Sequence, residues 1–320
     1  SIGIAWATPG QTVDDLITEA DVAMYGAKAG GRGRVEQFSA EMRRGIAERL
    51  DLEADIRHAI EREEFQLVYQ PVVDLETGQV SGAEALVRWM HPTKGIIHPA
   101  QFIAAAEESG LITEIGRLLL RRAVQDAARF RTASLAARTV RVAVNVSAHQ
   151  LLTTDVAADV GACLAAANVP GAALAIELTE SVLAANEALV VARLDALRAL
   201  GLRVALDDFG TGYSSLAYLS RFPIDILKID KGFITGDLTA RTRRGLTRAI
   251  VSIGESLGMR TIAEGIETMD QLTALREMGC SMGQGFYLGR PVPADAFMAV
   301  LTSWDPAAFR RPIALDAISA

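Results

Sequence analysis

From residue 65 onward, short apolar runs that alternate at period two are separated by longer stretches with helical spacing. The alternation predicts strands at Phe65–Val73, Gly82–Trp89, Val140–Val146, Ala173–Leu178, Arg203–Leu206, Ile226–Ile229, Thr261–Ala263 and Met282–Tyr287. Helical patterns separate most of them, for example Leu111–Phe130, His149–Ala167, Asn186–Leu200 and Ala240–Leu257. Eight strands alternating with helices predict an α/β fold, a (β/α)8 TIM-like barrel. Asp74-Leu-Glu-Thr-Gly78 is a turn of hairpin length, so the first strand is expected to run antiparallel to the second.

The segment before residue 65 reads differently. Residues 1–40 predict a strand, a helix and a short strand. Pro9-Gly10 marks a turn, and Thr12 or Asp14 caps a helix with Leu16, Ala20, Ala23, Met24 and Ala27 on one side. Gly30-Gly31-Arg32-Gly33 ends that helix. This is too little chain for a core of its own. Met42, Ile46, Leu50, Ile56 and Ile60 then recur near helical spacing, which predicts a linker helix over 41–62. The boundaries expected are therefore 1–40, 41–62, a barrel over 63–303 and a tail over 304–320.

Composition narrows the function classes. Half of the 320 residues are hydrophobic and 22% are charged, the balance of a globular chain. A net charge of −7 argues against a binder of nucleic-acid polymers or membrane surfaces, and leaves room for an anionic ligand only where local cations receive it. The two cysteines, Cys163 and Cys280, form no zinc spacing and no disulfide framework, so a reducing, cytoplasmic setting is expected. No basic, apolar leader opens the chain, and the longest apolar tract, 156–176, is interrupted by Asp159, Asn168 and Pro170. A start at Ser1 suggests a piece of a longer protein, whose membrane anchor would lie elsewhere.

The chemistry lies in polar residues within strands that should be buried. Glu84, Leu86 and Arg88 share one strand face; Asn145 falls with Ala143, Glu177 with Ala175, Lys228 with Asp230, Glu264 with Ile262, and Gln284 with Met282. Asp207 and Asp208 close an apolar strand. In a barrel these groups converge on the carboxyl-terminal mouth. Glu, Asn, Glu, Asp and Asp form a hard-oxygen donor set that suits Mg²⁺ or Mn²⁺ rather than zinc. Adjacent aspartates allow two metals, and Lys228 and Arg88 add cations for phosphate oxygens. Plainer readings exist for each. Glu84 alone could be salt-bridged, Asp207-Asp208 could cap a helix, and Lys228 could pair with Asp230. His58, His91, His98 and His149 show no ligand spacing, and Arg241, Arg243, Arg244 and Arg248 read as a solvated helix face.

Over roughly 46–297 the chain resembles the EAL-domain family of cyclic di-GMP phosphodiesterases. The motifs run in order: Tyr69-Gln-Pro-Val-Val-Asp74, Glu84-Ala-Leu-Val-Arg-Trp89, Asn145-Val-Ser147, Glu177-Leu-Thr-Glu-Ser181 and Asp207-Asp-Phe-Gly-Thr-Gly-Tyr-Ser-Ser215. Leu227-Lys-Ile-Asp230, Ala263-Glu-Gly-Ile-Glu267 and Gly283-Gln-Gly-Phe-Tyr287 complete the series. The resemblance implies that Glu84, Asn145, Glu177, Asp207 and Asp208 bind two divalent ions, with Asp207 bridging. It implies that Lys228 lies near the attacking water and that Glu264 acts as its base or orienter. Glu180 would tether the loop Phe209–Ser215, and Gln70, Leu86, Arg88, Asp230, Glu267 and Gln284 would line the nucleotide or support the metals. The implied reaction is attack of a metal-activated water on phosphorus, giving linear pGpG, by a chain that forms a homodimer. The rival implied by the same family is a cyclic di-GMP receptor with little turnover; the intact ligand set favours the enzyme. Ala20-Asp-Val-Ala-Met-Tyr-Gly-Ala-Lys28 with Gly31-Arg-Gly-Arg34 resembles the end of a GGDEF domain, which implies a tandem parent with amino-terminal GGDEF or sensor domains.

Overall fold

The computed structural model describes residues 1–29, 31, 33–210, 219–236 and 239–306. The chain divides into two compact units, Ser1–Arg62 with Ala100–Leu111, and Glu63–Pro99 with Ile112–Ala320. In the first unit, β1 (Ile2–Ile4) and β2 (Val35–Gln37) pair in parallel across helix α1 (Val13–Ala29). The Thr12 hydroxyl accepts the Asp15 amide N–H and starts α1, so Thr12 and not Asp14 is the cap. Gly3 lets α1 lie against β1, since a Cβ there would sit 2.0 Å from the Ala20 carbonyl oxygen. Helix α2 (Ala40–Glu61) is capped by Ser39, and α3 (Ile103–Glu108) joins it in this unit. Leu50, expected on the apolar side of α2, is 60% exposed.

The second unit is the barrel. Its strands are β3 (Phe65–Asp74), β4 (Val80–His91), β6 (Arg141–Asn145), β7 (Leu174–Thr179), β8 (Arg203–Phe209), β9 (Ile226–Ile229), β10 (Arg260–Ala263) and β11 (Met282–Gly283). They close in the order β3-β4-β6-β7-β8-β9-β10-β11, with β11 returning to β3. Every neighbouring pair is parallel except those made by β3, which runs antiparallel to both β4 and β11. The hairpin at Asp74–Gly78 produces that reversal: Asp74 Oδ1 accepts the Thr77 amide, and Gly78 takes φ +73°. Two short edge strands, β5 (Gly95–Ile97) on β4 and β12 (Val292–Pro293) on β3, were not anticipated.

The described α-helices of this unit are α4 (Ile112–Phe130), α5 (Ala148–Thr153), α6 (Val156–Ala167), α7 (Glu187–Ala199), α8 (Gly232–Thr235), α9 (Ala240–Ser256), α10 (Met269–Glu277) and α11 (Ala294–Ser303). The single helix expected over 149–167 is two. Asp155 accepts the Ala158 amide N–H and starts α6 anew, while Thr154 is extended. Likewise the strand expected over 282–287 stops at Gly283, because the Gly285 backbone lies against Ile266, where a Cβ would come within 2.2 Å of its N and O.

Strand parity sorts the barrel interior into layers, each drawn from alternate strands. Val72, Ala205, Ile226, Ile262 and Met282 form an apolar cluster in the middle, separate from the larger core on the outer strand faces. Above it, β4, β7 and β9 contribute Glu84, Glu177 and Lys228, and Gln284 follows directly after β11. The adjoining layer holds Gln70 (β3), Asn145 (β6) and Asp207 (β8), with Glu264 just past β10. Hence the polar residues lie at one end because strand length, counted from a shared apolar middle, places them there.

Candidate active site

The centre of the site is an ammonium among carboxylates. Lys228 Nζ lies 2.7 Å from Glu264 Oε1, 2.8 Å from Glu177 Oε2, 3.1 Å from Asp207 Oδ1 and 3.5 Å from Glu84 Oε2. No ion pair joins it to Asp230, so that plainer reading of Lys228 is excluded among the described residues. Glu84 is held on both sides. Asn145 Nδ2 donates to Oε1 at 3.0 Å, and Gln284 Nε2 donates to Oε2 at 2.7 Å. Gln284 Nε2 also donates to Gln70 Oε1, and Gln70 Nε2 to the Gly289 carbonyl, which locks both glutamines.

Two carboxylate groups follow from this packing. Oxygens of Glu84, Glu177 and Asp207 lie within 4.8 Å of one another, and so do those of Asp207, Asp208 and Glu264. Asp207 belongs to both. Adjacent residues of a regular strand point to opposite faces, yet both aspartates reach the same mouth. The reason is a bulge: Leu206 pairs with Leu227 and Phe209 with Ile229, so Asp207 and Asp208 together oppose Lys228 alone. Asp208 takes φ +53°, a left-handed conformation that aspartate tolerates better than most side chains. Period-two reasoning alone does not reveal this bulge.

The electrostatics show a centre short of positive charge. Five carboxylates (Glu84, Glu177, Asp207, Asp208, Glu264) face one ammonium, a formal −4 when all are ionised. Burial pushes the Glu177 carboxyl well above its usual range, and the charges of Glu84 and Asp207 add to the rise against Lys228. Glu264 is pushed up to about 7, chiefly by burial, against the pull of Lys228 and with smaller contributions from Asp207 and Glu84. Asp208 is also raised, by burial and then by Asp207 and Asp230. At Glu84, burial is overcome by Lys228 and by the donors Gln284 and Asn145, so its carboxyl is lowered. Lys228 is held well above its usual range, because the surrounding carboxylates outweigh its burial.

This donor set fits hard divalent cations. All of the donors are oxygens, no His or Cys among the described residues joins either carboxylate group, and two such ions would bring the formal charge to zero. Gln284 Oε1 is a further buried oxygen without a hydrogen-bond partner among the described residues.

The remaining predicted residues are distributed more widely. Arg88 is half-buried; its Nη1 donates to the Val87 carbonyl, and burial lowers its pKa against the pull of Glu84. Leu86 lies on the same strand face, half-buried. Asp230 Oδ1 accepts the Gly232 amide at 2.8 Å and thereby starts the turn into α8. Glu180 is buried, and its Oε2 accepts the Gly210 amide at 3.3 Å. The loop it was expected to tether, Phe209–Ser215, lies outside the described residues from 211 onward. Glu267 is exposed and outside both carboxylate groups; its backbone N–H donates to Gln271 Oε1. Sequence reasoning did not single out Phe286 and Arg290, which stack at 4.5 Å beyond Gln284, with Phe286 44% exposed. The signal available was an aromatic directly after the Gln284-Gly285 pair.

Fold and site together define a (β/α)8 barrel with a carboxylate centre at its carboxyl-terminal mouth whose donors could hold divalent cations. Residues 53–291 match the EAL domain model, and the chain belongs to that family. It is 40% identical over 298 residues to cyclic di-GMP phosphodiesterase PdeR of Escherichia coli K12, covering 93% of this chain and 44% of that protein. It is also 40% identical over 300 residues to the bifunctional diguanylate cyclase/cyclic di-GMP phosphodiesterase MucR of Pseudomonas aeruginosa, covering 93% and 44%. A solved structure of the PaMucR phosphodiesterase in complex with c-di-GMP superposes with a TM-score of 0.73 at 39% identity, covering 77% of this chain and 99% of that one. The chain thus spans less than half the length of these two curated relatives.

Proposed function

We propose that this chain hydrolyses cyclic di-GMP to linear pGpG. The observation that carries the reading is the pair of carboxylate groups sharing Asp207 around the buried Lys228. Relatives named as cyclic di-GMP phosphodiesterases, and a c-di-GMP complex of one of them, support the substrate. Glu84, Asn145, Glu177 and Asp207 would hold one divalent ion, and Asp208 with Asp207 a second. Magnesium or manganese suits these donors. When bound, such ions lower the pKa of water and neutralise charge on phosphoryl oxygens.

The chain's own groups do the rest. Lys228 directs its ammonium toward the water oxygen and the developing charge on the phosphoryl oxygens. Glu264 orients that water and accepts its proton at a carboxylate oxygen. As the new P–O bond forms, the bond to the 3′ oxygen breaks, that oxygen takes a proton from solvent water to become the free 3′ hydroxyl, and the 5′-phosphorylated dinucleotide departs. Gln284 and Gln70 hold Glu84 in place, and Asp208 keeps its strained bulge beside Asp207. Arg88 and Leu86 receive the nucleotide at the mouth, with Asp230 and Glu267 toward its rim. Glu180 anchors the start of the loop after β8 through Gly210.

Residues 1–40 are proposed to be the end of a GGDEF domain, 41–62 a linker, 63–303 the phosphodiesterase and 304–320 a tail. The strand–helix–strand order of the first segment supports this, as does a match reaching 93% of the chain in a bifunctional cyclase/phosphodiesterase. A homodimer, amino-terminal partner domains and a cytoplasmic setting belong to the same reading; among the described residues no helix is long and apolar enough to cross a membrane. The test is chromatography of cyclic di-GMP incubated with the chain and Mg²⁺ or Mn²⁺, beside Glu84→Ala. Metal-dependent pGpG that disappears in the variant is expected. Tight binding with no pGpG under either metal would replace the enzyme with a receptor.

A further inference from the structure

Asn145 ends β6 and is exposed, so packing does not fix its side chain. Its Nδ2 donates to Glu84 Oε1 at 3.0 Å, and its Oδ1 accepts no hydrogen bond among the described residues. The direction of that amide therefore depends on the backbone just beyond the strand. There the Val146 N–H still donates to the Glu177 carbonyl, at 2.9 Å. The Ser147 N–H leaves the ladder and donates instead to Gln150 Oε1, at 3.1 Å. In return the Ser147 hydroxyl accepts the Gln150 amide N–H at 3.1 Å. The reciprocal pair is a capping box at the start of α5.

A second observation concerns the neighbouring helix. Gly116 lies within α4, although glycine is, proline aside, the poorest helix former. A Cβ at Gly116 would sit 1.8 Å from Gln150 Nε2 and 2.8 Å from its Cδ. The Gln150 amide thus fills the space that any other residue of α4 would take, and Gln150 is only 7% exposed. Capping a helix does not require this seat. Gln271 completes the same box with Thr268 at the start of α10 and is half-buried.

We propose that Gln150, seated against Gly116, is a positioning residue for Asn145 and, through it, for the divalent-ion centre. The inference rests on Glu84, Asn145, Glu177 and Asp207 being the ligands of one ion. The line of contact runs from α4 to the Gln150 amide, to the Ser147 N–H, to the turn that carries Asn145, and on to Glu84. Without the Gln150 acceptor, the Ser147 N–H has no partner and the turn beyond Asn145 is released. Asn145 then loses its fixed approach to Glu84 and to an ion. The other oxygen of Glu84 is still held by Gln284, so ion affinity falls without the centre being abolished.

The experiment is calorimetric titration of the EDTA-stripped, dialysed chain with Mn²⁺, beside melting curves by circular dichroism. Gln150→Leu and Gly116→Ala should each bind Mn²⁺ about tenfold more weakly than wild type. Gln150→Glu keeps an acceptor for the Ser147 N–H and should stay within about threefold of wild type. Leu151→Ala is the control. Leu151 is wholly buried in the same helix, so its truncation lowers the melting temperature while leaving Mn²⁺ affinity within about threefold. Unchanged affinity in Gln150→Leu overturns the role, and so does an equal loss in Leu151→Ala, which would make it general to the helix. Should Gln150→Leu fail to fold, Gly116→Ala decides by the same criterion, because alanine favours α4 and acts only by displacing Gln150. A wild type that binds Mn²⁺ but makes no pGpG overturns hydrolysis and leaves this role standing; one that binds no Mn²⁺ overturns the role itself.

Discussion

Replacing Lys228 by methionine removes the single positive charge at the centre of the site while keeping its length and its buried stem. Nζ stands 2.7–3.5 Å from four carboxylates. At an effective dielectric of about 20, each contact is an attraction of about 5–6 kcal/mol, and two carboxylates within 4.8 Å repel by about 3.5 kcal/mol or more. Without the ammonium, the repulsions among Glu84, Glu177 and Asp207 stand uncompensated in a site where Glu84 and Glu177 are 6% and 2% exposed. Breaking a buried ion pair costs about 3–5 kcal/mol. Protonation of Glu177, whose carboxyl is already raised, moves the variant toward the low end of that range.

Melting of the EDTA-treated protein, followed by circular dichroism, should therefore fall by about 6–20 °C in Lys228→Met. Divalent ions should then act in the opposite sense. Mg²⁺ or Mn²⁺ should raise the melting temperature of the variant by more than that of wild type, because added cations replace the lost charge. Activity should be lost even with metal present. A variant that melts within about a degree of wild type in EDTA would refute the charge balance argued here. So would a metal-induced rise no larger than in wild type.

Other consequences are simpler. Gly285→Ala should lower both stability, by about 1–3 kcal/mol, and hydrolysis, since the new Cβ meets the Ile266 backbone at 2.2 Å and displaces the neighbouring Gln284; urea unfolding and the pGpG assay read the two effects. Tyr69→Phe should cost about 1.5 kcal/mol in urea unfolding, because the buried hydroxyl donates to Asp126 Oδ2 at 2.7 Å and Asp126 then keeps, among the described residues, its ion pair with Arg129. Burial raises both thiols, so alkylation by iodoacetamide should quicken as pH rises toward their pKa values. Cys280 should stay unlabelled until the chain unfolds, while the half-buried Cys163 labels slowly in the native state, as mass spectrometry will show.

Much of the barrel was legible because a buried strand with a mouth has a two-residue code. Glu84, Asn145, Glu177, Lys228 and Gln284 each continue the parity of an apolar interior position, and that parity placed them on one face without coordinates. The turn at Asp74–Gly78 announced the antiparallel first strand in the same way, through residues whose side chains bond their own backbone. Local rules were less reliable where one cap outweighs the periodicity. Asp155 divides a stretch that reads as one helix, and the Gly285 backbone ends a strand that reads as longer.

What the sequence by itself determined is the order of the strands, the inward residues of most of them and the hard-oxygen character of the mouth. These follow from hydrophobic period and side-chain chemistry, which are properties of neighbours along the chain. Only the tertiary structure decided that Lys228 faces four carboxylates rather than Asp230, and that Glu264 joins Asp208 around Asp207. Those facts depend on strand stagger, on the bulge at Asp207–Asp208 and on closure of β11 against β3. They are distances between residues far apart in sequence, set by how eight strands close a ring, and no local pattern encodes them.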